Sequence, residues 1–252
     1  MKKAIRVCSV LLVFSLAIGS GCGSNNTKEN KIPQDNSYYE DSAAVKGTTD
    51  ETHQTKKDKS YIDTLEANAK LKTIENMKTA FRDEVTATAK YAAYSKKAAE
   101  EGYPPVALLY KAVSIAESIQ ANNHKEVLQE TSAAIPILIP AFVVKTTKEN
   151  LHNDIDNEAN EARSVYPSYL KVAEEANNQL AHTSILYAME TEKKHKIFFE
   201  KALGDINSNT LKTMPSIYFV CPVCGNTYEA TAPKRCDFSF TPRDKFIKVS
   251  AL

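Results

Sequence analysis

The chain has 252 residues, 42% of them apolar and 25% charged, with a formal net charge of +1. That balance is ordinary for a globular protein with one or two domains, and the near-neutral charge argues against a nucleic-acid partner. Only seven glycines occur, and no Gly-rich phosphate loop or dinucleotide fingerprint is present. Residues 1–21 read as an export signal: Lys2, Lys3 and Arg6 precede the apolar run "VCSVLLVFSLAI", and small residues lead to Cys22. A cysteine directly after such residues is the acceptor of a bacterial lipoprotein anchor, although Gly19 stands where Leu is usual. The expectation is therefore an exported protein, held through lipid on Cys22 to the extracytoplasmic face of a bacterial membrane. Residues 22–60 are polar and nearly free of aliphatics, as in a flexible tether with a reach of roughly 30–40 Å.

From residue 61 to 206 the chain is rich in Ala, Leu, Glu and Lys. This composition predicts four long helices. The first spans about Ile62–Glu101 and stops at Gly102, and the second spans about Val106–Glu130. The third covers about Thr147–Asn177, with Pro167 as a kink or local break, and the fourth runs from about Gln179 to Leu203, ending at Gly204. "TSAAIPILIPAFVV" between the second and third is too long for a tight turn and reads as a crossover along the bundle. Two helical hairpins joined by one long crossover form a ferritin-like topology. Residues 217–252 are rich in aromatic and β-branched residues, a small β-rich module too short for its own apolar core.

Acidic residues recur inside the helices at ligand spacing. The four helices carry, in order, Glu84, Glu117-Ser-Ile-Gln120, Glu158-Ala-Asn-Glu161 and Glu192-Lys-Lys-His195. An i,i+3 pair shares one helix face, so both members can reach one point. Glu117 follows Glu84 by 33 residues and Glu192 follows Glu158 by 34, so two similar hairpins present matching groups at matching depth. Carboxylates gathered inside a bundle would have to take up protons or hold multivalent cations. Oxygen ligands with imidazole suit two non-haem Fe ions, with Mn as an alternative. This set matches the ligand pattern of ferritin-like di-iron bundles, a Glu from each of two helices and Glu-x-x-His-type pairs from the others. Tyr91 and Tyr166 fall two turns after Glu84 and Glu158, placed to donate hydrogen bonds to the cluster, while His124, His152 and His182 read as surface or core residues. In the tail, Cys221-Pro-Val-Cys224-Gly225 is a metal-binding knuckle joined later by Cys236. These are the three cysteines left once Cys8 and Cys22 are set aside, which fits metal ligation better than disulfides.

The segments "FRDEVTATAKYAAYSKKAAEEGY", "ALLYKAVSIAESIQANNH", "NEANEARSVYPSYLKVAEEA", "ETEKKHKIFFEKAL" and "CPVCGNTYEATAPKRC" together resemble the rubrerythrin family. The resemblance implies a di-iron bundle followed by a rubredoxin-like one-iron module. It further implies homodimers in which one subunit's module lies near the other's di-iron centre, and reduction of hydrogen peroxide with electrons entering through the module. Carried over by position, the di-iron ligands are Glu84, Glu117, Glu158, Glu161, Glu192 and His195. Two positions depart from the family. Gln120 stands where a histidine takes part in a redox-dependent ligand change, and Ser239 stands where the fourth thiolate belongs. Both changes fall on electron handling. They point to a weakened or remodelled site for one Fe or Zn on Cys221, Cys224 and Cys236, with Ser239 as a candidate fourth ligand. The resulting expectation is a membrane-tethered di-iron peroxidase served by a separate electron donor. The alternatives are a protein that binds and oxidises ferrous iron, or a non-catalytic scaffold lipoprotein.

Overall fold

The computed structural model describes residues 51–252, with side chains from residue 58 onward. The signal, Cys22 and most of the tether lie outside the described residues. Helix α1 runs Glu51–Glu100 and α2 Pro104–Glu130. A third rod follows, made of α3 (Thr147–Asn160), a π turn (Glu161–Val165) and α4 (Tyr166–Glu175), and then α5 (Gln179–Asn207). Among the described residues no helix is long and apolar enough to cross a membrane.

Two boundaries differ from the sequence expectation. α1 starts at Glu51, inside the segment read as tether, because Glu, Lys, Gln and Thr are compatible with helix once a packed helix follows. α5 passes through Gly204 and ends beyond Asn207. Its left-handed residue is Asn209 (φ 56°), with Asn209 N–H bonded to Ile206 O at 3.3 Å and Thr210 N–H to Asp205 O at 2.8 Å. The same pair of bonds closes α1 at Gly102, α2 at Ser132 and α4 at Asn177, so only one of the four closing residues is glycine. The third rod is interrupted where Pro167 predicts. A proline lacks the N–H that would reach back one turn, and its ring crowds the carbonyl four residues earlier. Tyr166 N–H instead bonds the Glu161 carbonyl, five residues back.

α1 packs on α2, the third rod packs on α5, and the two hairpins close on each other through α1–α4 and α2–α5 contacts. Thr146 starts α3 with a capping box, its hydroxyl accepting from Glu149 N–H while the Glu149 carboxylate accepts from Thr146 N–H. Residues 133–146 carry neither helix nor strand and run along the bundle as a crossover requires: Ile135 and Leu138 pack at one end of the bundle and Phe142 packs against Tyr94 at the other. The interior contains two apolar layers. One holds Tyr91, Tyr110, Val113, Leu151 and Phe199. The other holds Met77, Phe81, Leu128, Tyr166 and Ile185. Every rod contributes to both layers, and on every rod the predicted carboxylate falls between the two contributions.

The tail forms a three-stranded antiparallel sheet from β1 (Tyr218–Val220), β2 (Thr227–Glu229) and β3 (Ile247–Val249), in the order β2-β1-β3. It rests on the chain's own bundle, against α2 and α5.

Candidate metal centres

Glu117 from α2, Glu158 from α3, and Glu192 and His195 from α5 each bring a ligand atom within 4.8 Å of the others, and all four side chains are buried. His195 Nδ1 is 3.1 Å from Glu117 Oε1 and 3.1 Å from Glu192 Oε2, so three potential ligand atoms face one small volume. Glu84 from α1 is buried too. Its Oε1 accepts from Tyr166 OH, while Tyr91 OH donates to Glu158. Each tyrosine therefore crosses from its own hairpin to a carboxylate of the other. Glu161 opens the π turn and is less deeply set than the other five.

Electrostatics describe a site short of positive charge. Burial first, then neighbouring carboxylates, hold Glu84, Glu117, Glu158 and Glu192 well above the usual carboxylate range. Burial raises Glu161 to about 7 against the opposing pull of Lys90. Burial also lowers His195, which favours the neutral ring a metal needs. Glu158 Oε2, Glu192 Oε1 and His195 Nε2 are buried with no hydrogen-bond partner. Unpartnered buried oxygens and nitrogens cost about 1–3 kcal/mol each unless something else satisfies them. Carboxylate oxygens with one imidazole are a donor set that fits Fe or Mn.

Gln120 is buried beside Glu117, and its Nε2 donates to Glu117 Oε2 at 3.0 Å. The amide presents its nitrogen to the carboxylate, and its carbonyl oxygen is buried without a hydrogen-bond partner. Two groups outside the quoted motifs also belong to this region. Asp154, one turn before Glu158, is buried, accepts from Tyr110 OH at 2.9 Å and pairs with Lys90 at 3.1 Å. His124, one turn after Gln120, is a fully buried core residue. Their i,i+4 spacing from the quoted motifs was the available signal. His152 is exposed, and His182 lies 3.2 Å from Glu174 at the bundle's end.

The second centre is in the tail. Cys221, Cys224 and Cys236 are buried with their sulfurs clustered. The backbone around them repeats. Cys221 N–H bonds Asn226 O and Gly225 N–H bonds Cys221 O; Cys236 N–H bonds Thr241 O and Phe240 N–H bonds Cys236 O. Gly225 (φ 76°) and Phe240 (φ 57°) occupy the same left-handed position in the two loops. Ser239 therefore takes the place of the fourth cysteine in a complete second knuckle. Its Oγ lies 3.2 Å from Cys221 Sγ and 2.8 Å from Thr241 Oγ1. Hydrogen bonds among the three thiols pull Cys236 below the usual thiol range and push Cys224 above it, so one of the trio is set up as a thiolate.

The first knuckle is pressed onto the bundle. A Cβ on Gly225 would stand 3.0 Å from Ala116 O and 3.3 Å from Gln120 Cγ, so only glycine allows this approach. Asn123 Nδ2 donates to Val223 O at 2.9 Å, and Lys194 Nζ sits 4.4 Å over the Tyr228 ring. These contacts set the module beside the bundle's carboxylates.

A ferritin-like four-helix bundle with a carboxylate-histidine cluster, followed by a knuckle module, defines a di-metal bundle protein with an appended metal module. The description "Rubrerythrin" belongs to the family model that matches residues 75–203. Rubrerythrin-2 of Clostridium acetobutylicum is 30% identical over 175 residues, 69% of this chain and 95% of that protein. Nigerythrin of Nitratidesulfovibrio vulgaris is 28% identical over 69% of this chain and 85% of its own. A solved structure of fully reduced, all-ferrous nigerythrin aligns with a TM-score of 0.62 over 70% of this chain and 86% of its own, at 28% identity. The chain belongs to the rubrerythrin family.

Proposed function

We propose that this protein is a di-iron peroxidase that reduces hydrogen peroxide to water and protects against oxidative stress. The supporting observation is the convergence of Glu117, Glu158, Glu192 and His195 in a buried volume, with three of their atoms unpartnered. Glu84, Glu117, Glu158, Glu161, Glu192 and His195 are the proposed ligands of two Fe ions, with Mn as the alternative occupant. Bound as a ferrous pair, the metals supply the two electrons that peroxide requires alongside two protons. The chain's own groups do the rest. Tyr91 and Tyr166 orient Glu158 and Glu84 through their hydroxyls, Gln120 holds Glu117, and the two apolar layers keep bulk water out. Cys221, Cys224, Cys236 and Ser239 are the proposed ligands of one Fe or Zn, fed by an external electron donor. Lipid on Cys22 is the proposed attachment to the outer face of the membrane, and a homodimer is the proposed assembly.

The test is anaerobic reduction of the iron-loaded protein followed by one equivalent of hydrogen peroxide. Full and rapid reoxidation is expected, and Glu117→Ala or Glu192→Ala should slow it more than about 100-fold, beyond the 10–100-fold typical of residues that only support a ligand. Variants that react as fast as the parent would remove the reading. Gln120 and Ser239, both weaker than the groups they replace, favour a second reading in which the site oxidises ferrous iron itself. Net iron uptake without catalytic turnover on an electron donor would select it.

A further inference from the structure

His124 is a buried side chain that the proposed function does not use. It projects from α2 one turn beyond Gln120 and is 0% exposed. Its Nδ1 is 2.7 Å from Ser184 Oγ on α5. Its Nε2 has no hydrogen-bond partner and faces Glu84, with Nε2 4.0 Å from Glu84 Oε1. That separation is too long for a hydrogen bond. It does suit two atoms bound to one cation, because donors each about 2.1 Å from a metal stand roughly 3–4 Å apart. The Ser184 hydroxyl fixes the ring from behind, as a metal-binding histidine's other nitrogen is ordinarily fixed. Glu84 Oε1 is already held by Tyr166 OH, so the carboxylate is oriented as well.

Position 120 cannot supply a nitrogen ligand. The Gln120 amide spends its N–H on Glu117, and an amide nitrogen has no lone pair to offer a metal. We propose that His124 Nε2 is a second nitrogen ligand of the metal pair, binding the ion that Glu84 holds. This rests on the di-iron reading and adds a ligand to it. The ion at the Glu84 end is then bound by Glu84 and His124 from one side of the bundle, and the ion at the other end by His195.

The experiment uses the full chain loaded with Fe(II) and brought to the mixed-valent state, and counts coordinated imidazole nitrogens by pulsed electron paramagnetic resonance. Two distinct nitrogens are expected in the parent and one in His124→Leu. Anaerobic titration with Fe(II) alone should show the second ion bound roughly 10–100-fold more weakly in His124→Leu and about 10-fold more weakly in Ser184→Ala, which keeps both nitrogens. One nitrogen in the parent, or equal ferrous affinity in parent and His124→Leu, overturns the proposal. The count in the parent decides the matter even if a variant fails to fold. A parent that binds an iron pair with a single nitrogen sinks this inference alone; one that binds no pair sinks the di-iron reading with it.

Discussion

In the bundle, ligand-bearing residues come from four rods and are separated by long stretches of chain, whereas in the tail they come from two short loops with the same backbone bonds. The bundle has two apolar layers of its own, so it folds around a polar site that lowers its stability. The tail's strands bury Tyr218, Val220 and Val249 against the bundle, but its loops enclose little beyond Ala232, Phe246 and the cysteines, so the shape of those loops depends on what the cysteines hold. One region tolerates its metal site, while the other is organised by it.

Removing a ligand from each region should give the sharpest contrast. Cys236→Ala is expected to expose residues 215–252 to proteases while the helical signal persists, because a structural metal contributes on the order of 10 kcal/mol to so small a unit. Glu192→Ala should leave the melting temperature of the metal-free protein unchanged or higher. Limited proteolysis read by mass spectrometry checks the first, and a tail that stays resistant would end the contrast.

The pH dependence separates the regions next. A carboxyl that holds its proton more tightly folded than unfolded stabilises the fold at low pH. That contribution is lost as pH rises from about 4.3, the unfolded range, through the folded value. Glu161 stands at about 7, and the four deeper glutamates are also raised. Glu161 alone should therefore cost the metal-free protein about 2–3 kcal/mol, or roughly 5–10 °C of melting temperature, between pH 5 and pH 8, and the deeper glutamates add to that loss. Iron-loaded protein should not, since the cations displace those protons. Calorimetry showing a flat or rising metal-free profile would contradict the buried charge.

The smallest effect concerns the second knuckle. Phe240 is 70% exposed and occupies a left-handed backbone position that Gly fills in the first knuckle. Phe240→Gly should gain up to about 1 kcal/mol by relieving that strain. Added to Ser239→Cys, it should give a tail that binds iron and, once the iron is oxidised to the ferric state, shows the visible absorption of a four-thiolate site. Loss of stability in Phe240→Gly would mean that the ring packs on something beyond this chain.

Much of the bundle was legible because its signals are local. Glu158 and Glu161, or Glu192 and His195, share a face by spacing alone, and the duplicated register placed both hairpins at one depth. Helix ends were less legible. Left-handed closure at Ser132, Asn177 and Asn209 does not require glycine, so Gly204 misled. The partner of each tyrosine was hidden as well. Tyr91 follows Glu84 on one helix yet bonds Glu158 on another.

By itself, the amino-acid order determined the four rods, the crossover, the carboxylate spacing and the first knuckle, since each depends on residues within a few turns of one another. Tertiary structure alone decided that Gln120 turns its nitrogen to Glu117, that His124 faces Glu84, and that the chain's own tail covers the bundle beside its carboxylates. Those outcomes depend on which surfaces meet across helices. Packing settles that, because each buried polar atom must find its partner among side chains far away in the chain.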